Sequence, residues 1–286
     1  MHTGNHRAYT LIDVADIEPL QWRGGETRAV IRADQTGYAY SLFLVSLEQA
    51  ESRAVPAPSE VGYYILKGEL KVSSDLGSAQ ATKGEYIHLP KEAAHELSSV
   101  GNERALFLAV FAPAGDEVWS GSRSNIQQKS DVTARRMRNG ARLHVQSEVL
   151  TLSFFGNQYA IKVSGNETDE NFAQLDATFV KGSGFPLIRL KADIGFFLRE
   201  GSLTFNLNNE NLVVNAGQFL NIPRDTLFSF TSSDSIHARV VITVAPAGFE
   251  KIITIPPQAS LPLTMAGLTE HLKMCGESIG IEADRI

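Results

Sequence analysis

The sequence predicts an all-β chain of two tandem barrels with one short helix near the C-terminus. Three observations predict it. The first is an internal repeat: "EVGYYILKGELKV", beginning at Glu60, meets "DIGFFLREGSLTF", beginning at Asp193, at a shift of 133 residues. The same shift carries Gly68 onto Gly201, Gly84 onto Gly217, Pro90 onto Pro223, and "APAG" at 112–115 onto "APAG" at 245–248. The second is that each copy consists of short segments rich in aromatic and β-branched residues, punctuated by Gly, Asn, Asp, Ser or Pro. The third is size, since 286 residues with 43% hydrophobic content suffice for two ordinary cores.

The elements follow in chain order. Residues 1–28 read as an N-terminal arm, 29–123 as the first barrel domain, 124–150 as a linker, 151–256 as the second domain and 257–286 as a helical tail. The segments "AYSLFLVSL", "VGYYILKGELKV", "EYIHLP" and "RALFLAVF" supply strands of the first barrel. Those of the second are "GFFLREGSLTFNL", "QFLNIP" and "ARVVITVAP". Gly68 and Gly201 follow apolar runs where a tight hairpin needs positive φ. Pro90 and Pro223 end strands, because proline brings no ladder donor. Regular spacing of such strands implies a closed or double-sheet barrel. In "LTMAGLTEHLKMCGESIG", Met265, Leu268, Leu272 and Cys275 recur at helical spacing, and Gly276 is a stop. That stripe is expected to lie on a barrel or on a partner subunit.

Charge and composition narrow the function. Lys and Arg number 26 against 32 Asp and Glu, a net charge of −6 without a long block of either sign, which argues against nucleic acid as a partner. The local excess "ARRMRNGAR" at 134–142 reads as a solvated connector. A single cysteine excludes an internal disulfide and suits a reducing compartment. With no leader pattern and no apolar run near the roughly 20 residues of a membrane span, no membrane partner and a cytoplasmic location are expected.

"YYILKGEL" followed by "GEYIHLPKEAAH" resembles the paired motifs of the cupin superfamily. Gly84, Pro90 and His95 match the second motif at its usual spacing. In the other half Gly217 and Pro223 match while Phe228 stands in place of the histidine. The whole chain looks like a bicupin, and "ITVAPAGFEKI" with a closing helix before "GIE" is most similar to the quercetin 2,3-dioxygenase-like bicupins. The resemblance implies two jelly-roll barrels, and in metal-binding members a divalent metal held by three His and one Glu.

The departures from that pattern decide the chemistry. Counting back from Gly68 puts the Glu position at Val61 and the two His positions at Ala54 and Pro56. In the second half they fall at Ile194, Leu187 and Arg189. Of the eight ligand positions only His95 keeps a ligand type, and one imidazole cannot hold a catalytic metal that needs about three protein ligands. No metal and no other cofactor is expected. Glu60 and His88 do not substitute, since alternation turns Glu60 away from the lumen if Val61 points in, and Asp193 repeats that outward, solvated position.

The lumen that remains is expected to be a small-molecule site. Its period-two lining in the first copy is Ala54, Pro56, Val61, Tyr63, Ile65 and His95, with the small residues leaving room. His95 and Tyr63 are the candidate catalytic pair, and Ala54, Pro56, Val61, Ile65, His88 and Arg189 the candidate substrate-binding residues. The second lumen reads as filled by Leu187, Ile194, Phe196, Leu198 and Phe228, with Arg189 either aimed inward at an anion or, one register away, outward to solvent. Three functions fit: a metal-independent isomerase, cyclase or lyase acting on an aromatic or polyketide-like molecule; a non-catalytic ligand-binding bicupin; and a metal-dependent dioxygenase with recruited ligands. A homodimer is expected, from barrel edges that need cover and from the helix stripe.

Overall fold

The computed structural model describes residues 9–22, 24–48, 52–55, 58–114, 144–146, 151–232, 237–257, 260–275 and 281–283. It divides into two compact units, Ile17–Ser147 and a second made of Met1–Asp16 with Glu148–Ile286. Each unit is a pair of antiparallel sheets facing each other across one core, the arrangement the short punctuated segments predict.

In the first barrel the larger sheet runs, edge to edge, His144–Gln146, Tyr86–Leu89, Glu60–Lys67, Ala105–Ala112, Ser41–Leu47, Gly25–Ile31 and Leu20–Trp22. The smaller runs Ser52–Val55, His95–Val100, Glu69–Ser74 and Gly77–Thr82. In the second barrel the larger sheet runs Thr10–Asp13, Gln218–Ile222, Asp193–Glu200, Ala238–Ala245, Ala173–Phe179, Asn157–Val163 and Thr151–Phe154. The smaller runs Glu210–Asn215, Ser202–Leu207, Leu227–Ser232, Gly184–Leu190 and Ile281–Ala283. Strand order is therefore repeated along with sequence. Gly68 and Gly201, at φ 72° and 73°, turn equivalent corners from the larger sheet into the smaller one rather than the expected hairpins, and a side chain at Gly68 would run into the Arg104 carbonyl.

Two segments fall elsewhere than the sequence boundaries suggest. The arm drawn at 1–28 is divided, because Thr10–Asp13 pairs with Gln218–Ile222 of the second barrel while Gly25–Ile31 pairs with Ser41–Leu47 of the first. The linker drawn at 124–150 contains His144–Gln146, which pairs with Tyr86–Leu89 of the first barrel. Residues 134–142 lie outside the described residues.

The C-terminal stripe packs on the chain's own second barrel. Leu268 and Leu272, in the helix Met265–Cys275, are buried in that barrel's core cluster and Met265 packs against it. This settles between the two expected covers and removes the stripe as support for a homodimer. The Cys275 side chain lies outside the described residues. No helix among the described residues is long and apolar enough to cross a membrane.

Candidate functional site

The first lumen is built by alternation on three strands. Val61, Tyr63 and Ile65 of Glu60–Lys67, Ile87 and Leu89 of Tyr86–Leu89, and Leu97 of His95–Val100 share one core cluster with Phe107. Tyr63 reaches across to His95, its hydroxyl 2.6 Å from Nε2. The other ring nitrogen, Nδ1, donates to the Ala93 carbonyl at 2.8 Å. That bond fixes the tautomer, so Nε2 is the acceptor and the Tyr63 hydroxyl the donor. Burial holds the imidazole below its ordinary value of 6.5, with the Ala93 carbonyl opposing in part. The Tyr63 ring stands edge-on to Phe107 and to His95, at centroid distances of 5.5 and 5.6 Å.

The candidate catalytic pair is thus brought together, and among the described residues the side chains around it leave no vacancy. Val61, Tyr63, Ile65 and Leu97 have 0% accessible surface and His95 has 5%. A void large enough for water would leave accessible area on its lining. The Ala54 side chain and Pro56 lie outside the described residues, but backbone register sets Val55, buried in the same cluster, opposite His95 and Ala54 opposite Glu96. The count back from Gly68 therefore slips by one.

The second barrel shows the same slip directly. Ile188 and Leu190 lie in its core cluster, while Leu187 and Arg189 are half-buried on the other face. Arg189 is consequently not a lumen residue. The slip falls in the connection between Leu190 and Asp193, since Ile194 is in the core as counted back from Gly201 while Arg189 is already off it, and motif spacing does not fix the length of that connection. Ile194, Phe196, Leu198 and Phe228 do fill the interior, together with Phe205 and Phe230.

His88 is corrected as well. It lies across the strand pair from Gly62, on the face opposite Tyr63, and its Nε2 is 2.8 Å from Glu60 Oε2. Glu60 itself is 4% exposed, so it points away from the lumen as alternation requires but is not solvated. Asp193, its repeat partner, is 3% exposed and accepts from the Arg224 backbone N–H at 2.7 Å and from its guanidinium at 3.3 Å. Neither acid is solvated as expected, because both faces of these strands are buried: Glu60–Lys67 and Asp193–Glu200 each begin with six consecutive buried residues. The unbroken apolar runs "VGYYIL" and "IGFFL" carry that signal.

The donor set does not fit the metal that the cupin motifs imply. The Glu position is Val61, the residue opposite His95 is Val55, and both nitrogens of His95 already have partners within the fold. Among the described residues no group of three His, Cys, Asp or Glu is gathered in a metal-binding arrangement.

No family model matches the chain, and no curated protein matches it. Solved structures do. The E. coli protein Ylba is similar at TM-score 0.61 and 12% identity, over 83% of this chain and 91% of that one. The Lactobacillus farciminis oxalate decarboxylase, as its formate complex, is similar at TM-score 0.63 and 11% identity, over 94% of this chain and 95% of that one. The chain has the bicupin fold. Procruciferin, an 11S globulin from Brassica napus, shares it at TM-score 0.62 and 10% identity, over 83% of this chain and 85% of that one. These likenesses support a bicupin and do not single out the quercetin 2,3-dioxygenase-like group. A fold carried by a decarboxylase and a globulin alike does not choose a function for this bicupin.

Proposed function

We propose that the chain is a non-catalytic bicupin, a packed two-barrel scaffold that recognises small molecules without transforming them in its lumens. One observation carries this reading. His95, the residue left from the cupin ligand set, has one nitrogen on Ala93 and the other on Tyr63, among side chains with no accessible surface. An acid–base site needs room for substrate beside the reacting group. Here Tyr63 occupies that room. In the full chain, His95→Ala is expected to lower unfolding free energy by about 1–3 kcal/mol, the cost of stranding the Tyr63 hydroxyl. Across a panel of phenolic and polyketide-like compounds followed by mass spectrometry, parent and variant should both return the compounds unchanged. A compound converted by the parent and spared by the variant would overturn the reading.

The same pair favours a second reading, a metal-independent isomerase, cyclase or lyase on an aromatic or polyketide-like substrate. An imidazole kept neutral by burial, with its lone pair on a phenol at 2.6 Å, is in the protonation state of a general base. This reading requires Tyr63 to leave His95 as substrate enters. A quercetin 2,3-dioxygenase-like reaction is the weakest of the three, because the Glu position of the first barrel is Val61 and the residue opposite His95 is Val55, neither of which can ligate a metal. Elemental analysis of protein purified without chelators checks this, and a stoichiometric first-row metal would revive it.

A further inference from the structure

The duplication provides an internal comparison for one cleft on the solvent face of the second barrel's larger sheet. Asp176, Arg199 and Arg239 line it with Thr151, Gln158 and Thr178, around a volume of about 190 Å³. Arg199 is held by Asp176 at 2.9 Å, with only 14% and 21% of the two side chains exposed. Arg239 is looser, 3.5 Å from Glu200 at the rim, with half of each side chain exposed. The pairing that joins Ala160 to Asp176 and Thr178 to Arg239 in this sheet joins Arg28 to Leu44 and Ser46 to Leu106 in the first barrel. Repeat alignment thus replaces Asp176, Arg199 and Arg239 by Leu44, Leu66 and Leu106, all half-buried. The backbone tolerates leucine at these places, so the charged trio is not needed to form the sheet.

We propose that this cleft is a binding site for a small hydroxylated monocarboxylate. Arg239 presents a planar fork suited to a carboxylate, and a ligand displaces only the long, exposed contact to Glu200. Arg199, oriented by Asp176, supplies a fixed positive charge at the cleft wall. Asp176 also sets the ligand charge, because its carboxylate beside Arg199 disfavours a dianion such as phosphate. The hydroxyls of Thr151 and Thr178 and the Gln158 amide meet polar substituents. The volume is below the roughly 300–1,000 Å³ of sites for drug-sized ligands, which limits the ligand to a small molecule.

Titration of the full chain with sodium glycerate, with glycerol and with inorganic phosphate tests the site. Glycerate should bind, glycerol should not, and phosphate should bind more weakly than glycerate. Arg239→Leu, which installs the first barrel's residue, should weaken glycerate by more than about tenfold, the loss of one charge-assisted contact. Arg239→Lys, which keeps the charge but not the fork, should weaken it less. Absence of glycerate binding to the parent, equal binding to Arg239→Leu, or tighter binding of phosphate would each overturn the proposal. His95→Ala should leave glycerate affinity unchanged, which separates this site from the reading of the first lumen.

Discussion

Tyr63 and His95 show how one polar pair can be satisfied inside an otherwise apolar barrel. Removing the phenol hydroxyl leaves the imidazole acceptor without this donor, so Tyr63→Phe is expected to cost about 1–3 kcal/mol of unfolding free energy, read by denaturant titration. A change below about 0.5 kcal/mol would show that the bond contributes little. The imidazole also ties stability to pH. Burial holds His95 below its ordinary value of 6.5, and the same cause acts on His271, which packs against Phe154 and Phe155. Above that value both are neutral in either state and the contribution is fully present. As pH falls below about 6.5 the unfolded chain takes up protons first and stability declines. The double variant His95→Gln, His271→Gln should flatten the decline just below pH 6.5 in thermal unfolding. An unchanged slope would assign it to other groups. His95 was legible at this scale because its spacing from Gly84 and Pro90 matches a motif. Its partnership with Tyr63 was legible only as shared membership of one face.

Strands were legible from composition wherever one face is wet. His95–Val100 alternates buried and less buried residues as a half-buried strand should. Where a strand is buried on both faces, alternation still gives the side but no longer implies solvent, which is why Glu60, His88 and Asp193 were misjudged. Register was illegible across the connection from Gly184–Leu190 to Asp193–Glu200, since the length of that connection leaves no mark in composition. The correction has an energetic consequence. Ile188→Ala should cost about 2–4 kcal/mol through a cavity in the second core, while Arg189→Ala should stay within about 0.5 kcal/mol. The reverse order in urea titrations would restore Arg189 to the lumen.

On the scale of the whole molecule, the duplication is not two self-contained barrels in a row. Thr10–Asp13 precedes the first repeat yet completes the second barrel's larger sheet, against Gln218–Ile222. His144–Gln146, close to the same shift of 133 further on, precedes the second repeat yet completes the first barrel's, against Tyr86–Leu89. Each repeat thus gives its leading strand to the other's barrel. Neither sequence periodicity nor motif spacing could reveal this, because both read local pattern and the exchange is a choice between equivalent edges. The Val14 backbone N–H continues the contact onto the Gly217 carbonyl at 3.1 Å. Deleting residues 1–14 should therefore expose the outer edge of Gln218–Ile222 and speed amide exchange there, while the equivalent strand Tyr86–Leu89, covered by His144–Gln146, keeps its protection. A synthetic peptide spanning residues 9–16 should restore protection in Gln218–Ile222 and leave Tyr86–Leu89 unchanged. Equal loss in both strands, or no loss in either, would contradict the exchanged topology.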